Sequence, residues 1–488
     1  MSGAQALDRR RAGILLHPTS LPEPEDQGDF GHAAFRFVDF LADCGFSIWQ
    51  TLPLGPTHRD GSPYQSLSVH AGNPQLISLD WLRDRGWLKA DERAGTPAER
   101  SALLEQAYRR LRGARDDQTL AQIYDFATEH ATWLEDFALY EALREELGLS
   151  PWYEWPEAVR DRDRAALATA RKRLAPRLAE IRFQQWVFFQ QWEELRSYAN
   201  ERGVLLFGDM PIFVAHDSAE VWARRDYFTV DEHGRAEVIA GVPPDYFSAT
   251  GQRWGNPLYR WEPMEADGFR WWIERMRTQL DLFDLVRIDH FRGLEACWEI
   301  PADAETAIEG SWVPAPGEAL LRTLRETFHA LPIVAEDLGT ITAEVDALRE
   351  QFAIPGMKVL QFAFGGGADN PYLLHNHEAN SVVYTGTHDN DTTLAWYQKL
   401  DAEQRSYVDD YLGHPREAMP WPLMRLALAS PACYCMLPMQ DILCLGDGHR
   451  MNMPGTIENN WRWRYRKDQI SKNLRPRLRH LLALYGRL

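Results

Sequence analysis

The sequence predicts a (β/α)8 TIM barrel with large, mainly helical and loop insertions and no C-terminal β-sandwich domain. Three observations carry this expectation: eight short apolar runs recur, helical patterns sit between them, and the runs are near-continuous rather than alternating in hydrophobicity. A strand buried on both faces of a parallel sheet reads this way. Strand–helix alternation repeated eight times closes such a sheet into a barrel.

The runs are residues 12–16, 47–53, 204–212, 285–290, 332–338, 357–364, 381–387 and 434–443, each rich in Val, Ile, Leu or Phe. Helical periodicity covers 33–44, 180–201, 268–283, 317–330 and 341–352. The spacing is uneven. A long charged, helix-rich stretch separates the second run from the third, with 91–113 and 171–182 as its clearest parts and aromatics clustered at 152–155. A second insertion, 213–262, is rich in Trp, Tyr and Phe. The expected organisation is one catalytic barrel over 1–488, with a helical subdomain at about 84–180 and aromatic active-site loops at 213–262. Loops after barrel strands build the active site, so both insertions would wall a long cleft.

Composition bounds the function. The 488 residues carry 53 Lys+Arg and 71 Asp+Glu, a formal charge of −18. That balance repels polyanions, so no nucleic acid and no anionic membrane is expected as partner. No run approaches the 18 or so apolar residues of a membrane span. Five cysteines, an odd and sparse set, suit free thiols in a reducing cytoplasm. Cys433 and Cys435 read as small apolar residues of a buried strand. The 19 tryptophans suggest flat rings at a surface as well as in a core. Gly365-Gly366-Gly367 lacks the Lys-Ser/Thr of a phosphate loop. His375-Asn376-His377 is too close-set for one helix face and has no third ligand nearby, so no metal site is expected there.

Polar residues at the C-terminal ends of barrel strands are the catalytic candidates. The third run ends with Asp209, the fourth with Arg287, Asp289 and His290, the fifth with Glu336, and the seventh with His388 and Asp389. Carboxylates on strands of one barrel converge on its axis, and burying them together is costly unless function requires it. Paired acids suit glycoside chemistry: one ionised to attack the anomeric carbon, one protonated to feed the leaving oxygen. Arg287 and Asp289 are two apart on a strand, so they point the same way and the guanidinium can hold Asp289 ionised. Glu336, one strand on, can be the acid. An Mg²⁺ site made of Asp209, Asp289, Glu336 and Asp389 is the competing reading, weakened by the lack of a phosphate cradle. Asp245-Tyr246-Phe247 and residues 252–257, with Gln252 and Trp254, alternate aromatics with hydrogen-bonding groups, as a sugar's apolar face and hydroxyl rim demand.

These strand-end residues resemble those of the amylomaltases, the 4-α-glucanotransferases of glycoside hydrolase family 77 in the α-amylase clan. The resemblance runs through 13–22 (GILLHPTSLP), 62–68 (SPYQSLS), 71–74 (AGNP), 208–214 (GDMPIFV), 217–222 (DSAEVW), 244–261, 287–293 (RIDHFRG), 336–339 (EDLG), 384–392 (YTGTHDNDT) and 450–464. It implies Asp289 as nucleophile, Glu336 as acid/base and Asp389 as the third acid, which binds the distorted sugar's hydroxyls. It implies that Arg287 and His388 flank the cleavage point and that Asp209 is a substrate-side acid. Tyr64, Asp245, Tyr246, Phe247, Gln252, Trp254 and His290 would line glucan subsites. The implied substrates are α-1,4-glucans (maltooligosaccharides, amylose, glycogen), with no cofactor and no required metal, in a monomer or weak homo-oligomer. Leu374, His377 and Val69-His70 depart from the family's usual residues and bear on acceptor preference. An α-amylase-like hydrolase, or an inactive glucan-binding protein, are the alternatives, because hydrolases of the clan share the same three acids.

Overall fold

The computed structural model describes residues 9–22, 27–244 and 248–488. Among these residues there are twelve strands: β1 (Arg11–Leu15), β2 (Ile48–Gln50), β3 (Leu205–Pro211), β4 (Val238–Val242), β5 (Gln252–Pro257), β6 (Leu285–Asp289), β7 (Ala296–Pro301), β8 (Ser311–Pro314), β9 (Ile333–Ala335), β10 (Gly356–Val359), β11 (Ser381–Tyr384) and β12 (Tyr434–Pro438). Eight form a parallel sheet in the order β10-β11-β12-β1-β2-β3-β6-β9. They are the eight apolar runs of the sequence, shortened at their ends.

The sheet is a nearly closed barrel. At the seam, the Ala335 amide donates to the Pro355 carbonyl at 2.8 Å. The Asp337 carboxylate then accepts from the Met357 amide at 2.6 Å, so a side chain continues the closure where the backbone ladder stops. Alternation sorts the side chains. Ile48, Leu205, Phe207, Leu285, Val334, Val359 and Met436 fill the barrel, while Trp49, Leu206, Val286 and Ile333 face the surrounding helices.

Gly208 faces outward between Phe207 and Asp209. A Cβ there would lie 2.2 Å from the Phe283 ring, so the glycine lets the helix Arg270–Leu282 and its end close onto β3. Gly208→Ala is expected to cost ~1–3 kcal/mol through overpacking, read as a lower thermal midpoint. An unchanged midpoint would mean that Phe283 yields freely.

Between β2 and β3 the chain builds the helices Pro97–Ala114, Asp117–Glu129, Ala131–Glu146 and Arg164–Arg173, then the long helix Ala175–Glu201. The stretch 171–182 is not one helix. It breaks at Leu174, where Pro176 opens the long helix, because proline lacks the N–H an interior position needs. The insertion is tied to the loop after β1 by buried Arg100, which donates to Asp29 at 3.1 Å and to the Ile77 carbonyl at 2.7 Å. Two further departures matter. The connection from β10 to β11 holds only the 3-10 turns Leu360–Phe362 and Leu374–Asn376 instead of a helix. A second, antiparallel sheet, β5-β4-β7-β8, is built from the connections that follow β3 and β6 and was not foreseen. Its strands are short and interrupted by Gly and Pro, so their pairing is set by distant partners rather than by local pattern.

Candidate active site

Strand alternation aims Asp209 (β3), Arg287 and Asp289 (β6) and Glu336 (just past β9) into the mouth of the barrel. Arg287 is the hub. Its Nη1 donates to both carboxylate oxygens of Asp209, at 2.7 and 2.8 Å. Its Nη2 lies 2.8 Å from Asp289 Oδ1, and its Nε meets the Met357 sulfur at 3.4 Å. A planar fork with fixed donors is what allows one side chain to hold two acids at once. Arg287 and Asp209 are buried, whereas the Asp289 side chain keeps 31% of its surface. That asymmetry leaves Asp289 open to a ligand.

Glu336 is held by the backbone. The His290 amide donates to one carboxylate oxygen at 2.7 Å and the Leu338 amide to the other at 3.1 Å. His290 adopts a left-handed conformation (φ 53°), uncommon for a non-glycine residue, and this turn aims its amide at Glu336. Burial pushes the Glu336 carboxyl up to about 8, against the pull of Arg287. Burial also raises Asp289, opposed by the touching Arg287 guanidinium. In this coupled pair the first proton leaves Asp289, because it alone contacts the cation directly, and Glu336 keeps its own.

Asp389 sits in the turn after β11 with 47% of its side chain exposed. Asn452 donates to its carboxylate at 2.6 Å, and Arg450 donates to its backbone carbonyl at 2.6 Å. His388 is buried and stacks on Tyr64, with centroids 5.1 Å apart and planes at 13°. The Tyr64 hydroxyl donates to Asp209 at 2.7 Å. His17 is buried beside His388, and burial lowers its pKa to about 3.

The loop carrying Tyr64 is fixed from below. Ser68 donates to buried Glu220 at 2.6 Å and accepts from the amides of His70 and Ala71. Gln185 and Gln191 of the long helix each bond a loop residue's amide and carbonyl together, at Gly72 and Ser78. On the opposite wall, Trp254 of β5 meets the His290 ring edge-on at 4.7 Å, with Phe213 at 6.2 Å from the same ring. Burial lowers His290 to about 3, so the ring is neutral. Gln252 is exposed beside Trp254 and accepts from its indole at 3.3 Å.

Of the sequence-predicted set, Tyr64, Asp209, Arg287, Asp289, His290, Glu336, His388, Asp389 and Trp254 converge, with Gln252 at the rim. Asp245, Tyr246 and Phe247 lie outside the described residues. Trp222 lies in the aromatic insertion expected to wall the cleft, but it is fully buried, donating to the Val159 carbonyl under the Arg162 guanidinium. Asn452, Arg450, His17 and Phe213 were missed. Asn452 and Arg450 lie within the matched 450–464 segment, yet nothing local ties them to an acid some sixty positions away. His375 and His377 spend their ring nitrogens on Tyr411, Ser430 and backbone carbonyls. Among the described residues no three His, Cys, Asp or Glu are grouped to hold a metal ion.

Comparison with known proteins identifies the family. The family model described as 4-alpha-glucanotransferase matches residues 16–470. A 4-alpha-glucanotransferase of Thermus thermophilus is 48% identical, over 98% of this chain and 99% of that one. A chloroplastic/amyloplastic 4-alpha-glucanotransferase of Arabidopsis thaliana is 43% identical, over 98% of this chain and 86% of its own. The amylomaltase of Streptococcus agalactiae, solved in complex with acarbose, superposes with a TM-score of 0.95 at 37% identity, covering 98% of this chain and all of the other. The chain belongs to the 4-alpha-glucanotransferase family, glycosyl-transferring enzymes of glycoside hydrolase family 77.

Proposed function

We propose that Asp289, Glu336 and Asp389 carry out the transfer by retaining double displacement. Asp289, ionised by Arg287, attacks the anomeric carbon of an α-1,4-glucan while Glu336 protonates the departing oxygen. This gives a covalent β-glucosyl-enzyme and releases the reducing-end fragment. Glu336, now ionised, takes the proton of an incoming 4-hydroxyl, and attack on the intermediate restores the α configuration. Asp389 binds hydroxyls of the distorted sugar. Arg287, His290 and His388 frame the cleavage point. Tyr64, Asp209, Gln252, Trp254, Asp245, Tyr246 and Phe247 complete the glucan subsites. The observation that carries this reading is the division of labour between two neighbouring acids: Asp289 on a guanidinium, Glu336 on two backbone amides in a buried position.

The proposed substrates are maltooligosaccharides, amylose and glycogen, met by a monomer or weak homo-oligomer acting as one catalytic barrel with its two insertions. We propose a cytoplasmic location; among the described residues no helix is long and apolar enough to cross a membrane. Water competes with the sugar acceptor for the intermediate. A hundredfold preference for sugar needs only about 2.7 kcal/mol of differential transition-state binding. Incubation with maltotriose is expected to give glucose plus a ladder of longer oligosaccharides, separated by chromatography. Shorter products alone, with reducing ends rising steadily, would establish hydrolysis instead.

A further inference from the structure

Of the nineteen tryptophans, Trp312 on β8 is the most exposed, at 37%. It stands at the outer edge of the small antiparallel sheet, paired across the strands with Trp298. The two rings meet edge-on, 5.2 Å apart at 66°. The Arg292 guanidinium lies 3.7 Å from the ring centre, and the same arginine donates to the Thr340 carbonyl. Trp298 is fixed in turn, its indole donating to the Ala307 carbonyl at 2.8 Å. A Cβ on Gly310 would fall 2.3 Å from that indole nitrogen. Arg292 thus covers one face of Trp312 and Trp298 packs against it at a steep angle, so the ring is immobilised while 37% of it stays open to solvent.

The position of this ring is informative. Arg292 and Thr340 belong to the turns that follow β6 and β9, the strands that lead to Asp289 and Glu336. The opposite edge strand of the same sheet, β5, carries Trp254 against His290. Four strands at ~4.8 Å spacing put the two edges about 14 Å apart. A flat, pre-ordered apolar ring beside Ser311 and Glu309, both exposed, offers too small an area for a stable protein interface, which needs ~800 Å² per partner. It matches a pyranose ring, apolar on its face and hydroxylated at its rim.

We propose that Trp312 is a distal stacking platform for α-1,4-glucan chains long enough to extend beyond the catalytic cleft on the Glu336 side. Long donors and acceptors gain a contact there that short oligosaccharides do not reach. The inference rests on the glucan-transfer reading above, and the test separates the two. Trp312→Ala and Trp312→Phe are assayed on amylose and on maltotriose, with retention in an amylose-containing native gel as a direct binding measure. Trp312→Ala is expected to raise KM for amylose about tenfold and to weaken gel retardation, with maltotriose kcat and KM unchanged and Trp312→Phe close to wild type. An unchanged amylose KM overturns the platform. Equal losses on both substrates with a lower thermal midpoint also overturn it, since that marks a packing role. A wild type that leaves both glucans untouched overturns the substrate reading itself.

Discussion

Asp289→Asn is expected to lower transglycosylation by at least ~10⁴-fold, because in the proposed mechanism an amide cannot replace the attacking carboxylate and no neighbouring group takes its place. Asp209 is near but buried, with both oxygens bound by Arg287 and one of them also by the Tyr64 hydroxyl. Asp389 is held by Asn452 and is rooted in a turn of a different strand. The substitution is nearly isosteric and keeps an acceptor for Arg287 Nη2, so the fold and the glucan affinity are retained. The check is turnover on maltotriose together with maltooligosaccharide affinity by calorimetry. Lost turnover with preserved binding is the expected pair; activity within tenfold of wild type would remove Asp289 from the reaction. With an activated glycosyl fluoride, mass spectrometry of this variant shows no covalent adduct.

Glu336→Gln is expected to lower turnover by ~10²–10⁴-fold, the range of general acid–base catalysis. Here a glycosyl fluoride does lead to an adduct, because fluoride departs without a proton and the defect lies in resolving the intermediate. The pH profile follows from the same residue. The proposed first step needs Glu336 protonated, so wild-type activity is expected to decline as pH rises through about 8, and that limb is expected to disappear in the glutamine variant. Stability falls with rising pH as well. A carboxyl whose folded pKa lies above its unfolded value near ~4.3 favours folding fully at acid pH, and that contribution is lost as pH rises through the folded value. Glu336→Gln therefore melts above wild type at pH 8.5 and close to it at pH 4. A variant that melts below wild type at both would mean that Glu336 is a structural anchor rather than an acid kept protonated by burial.

Much of this was legible in the sequence because barrel physics is local. A strand buried on both faces needs a continuous apolar run, and period-two alternation brings Asp209, Arg287, Asp289 and Glu336 to one axis before any coordinates are seen. The small antiparallel sheet was not legible. Gln252–Pro257 contains a glycine, ends in proline and is largely exposed, and Ser311–Pro314 is four residues long with one intermediate position. These strands exist because they find each other, not because their own pattern demands it. The role of Asn452 was hidden for the same reason. Trp222 misled in the opposite sense: the aromatic-rich insertion reads as a sugar wall, but most of its described rings pack its own base, while Trp254 and Phe213 reach the His290 turn.

The clamps by which Gln185 and Gln191 grip the backbone at Gly72 and Ser78 have a kinetic meaning. Six shorter helices and the long helix that carries the glutamines come between β2 and β3, so the chain must close one of its longest loops before these two neighbouring strands pair, and high contact order slows that step. The helices fold locally and shorten the effective loop, but the Tyr64 wall takes shape only when the long helix docks. Completion of the Tyr64 wall is therefore expected to wait for the docking of the long helix, through two buried amide side chains.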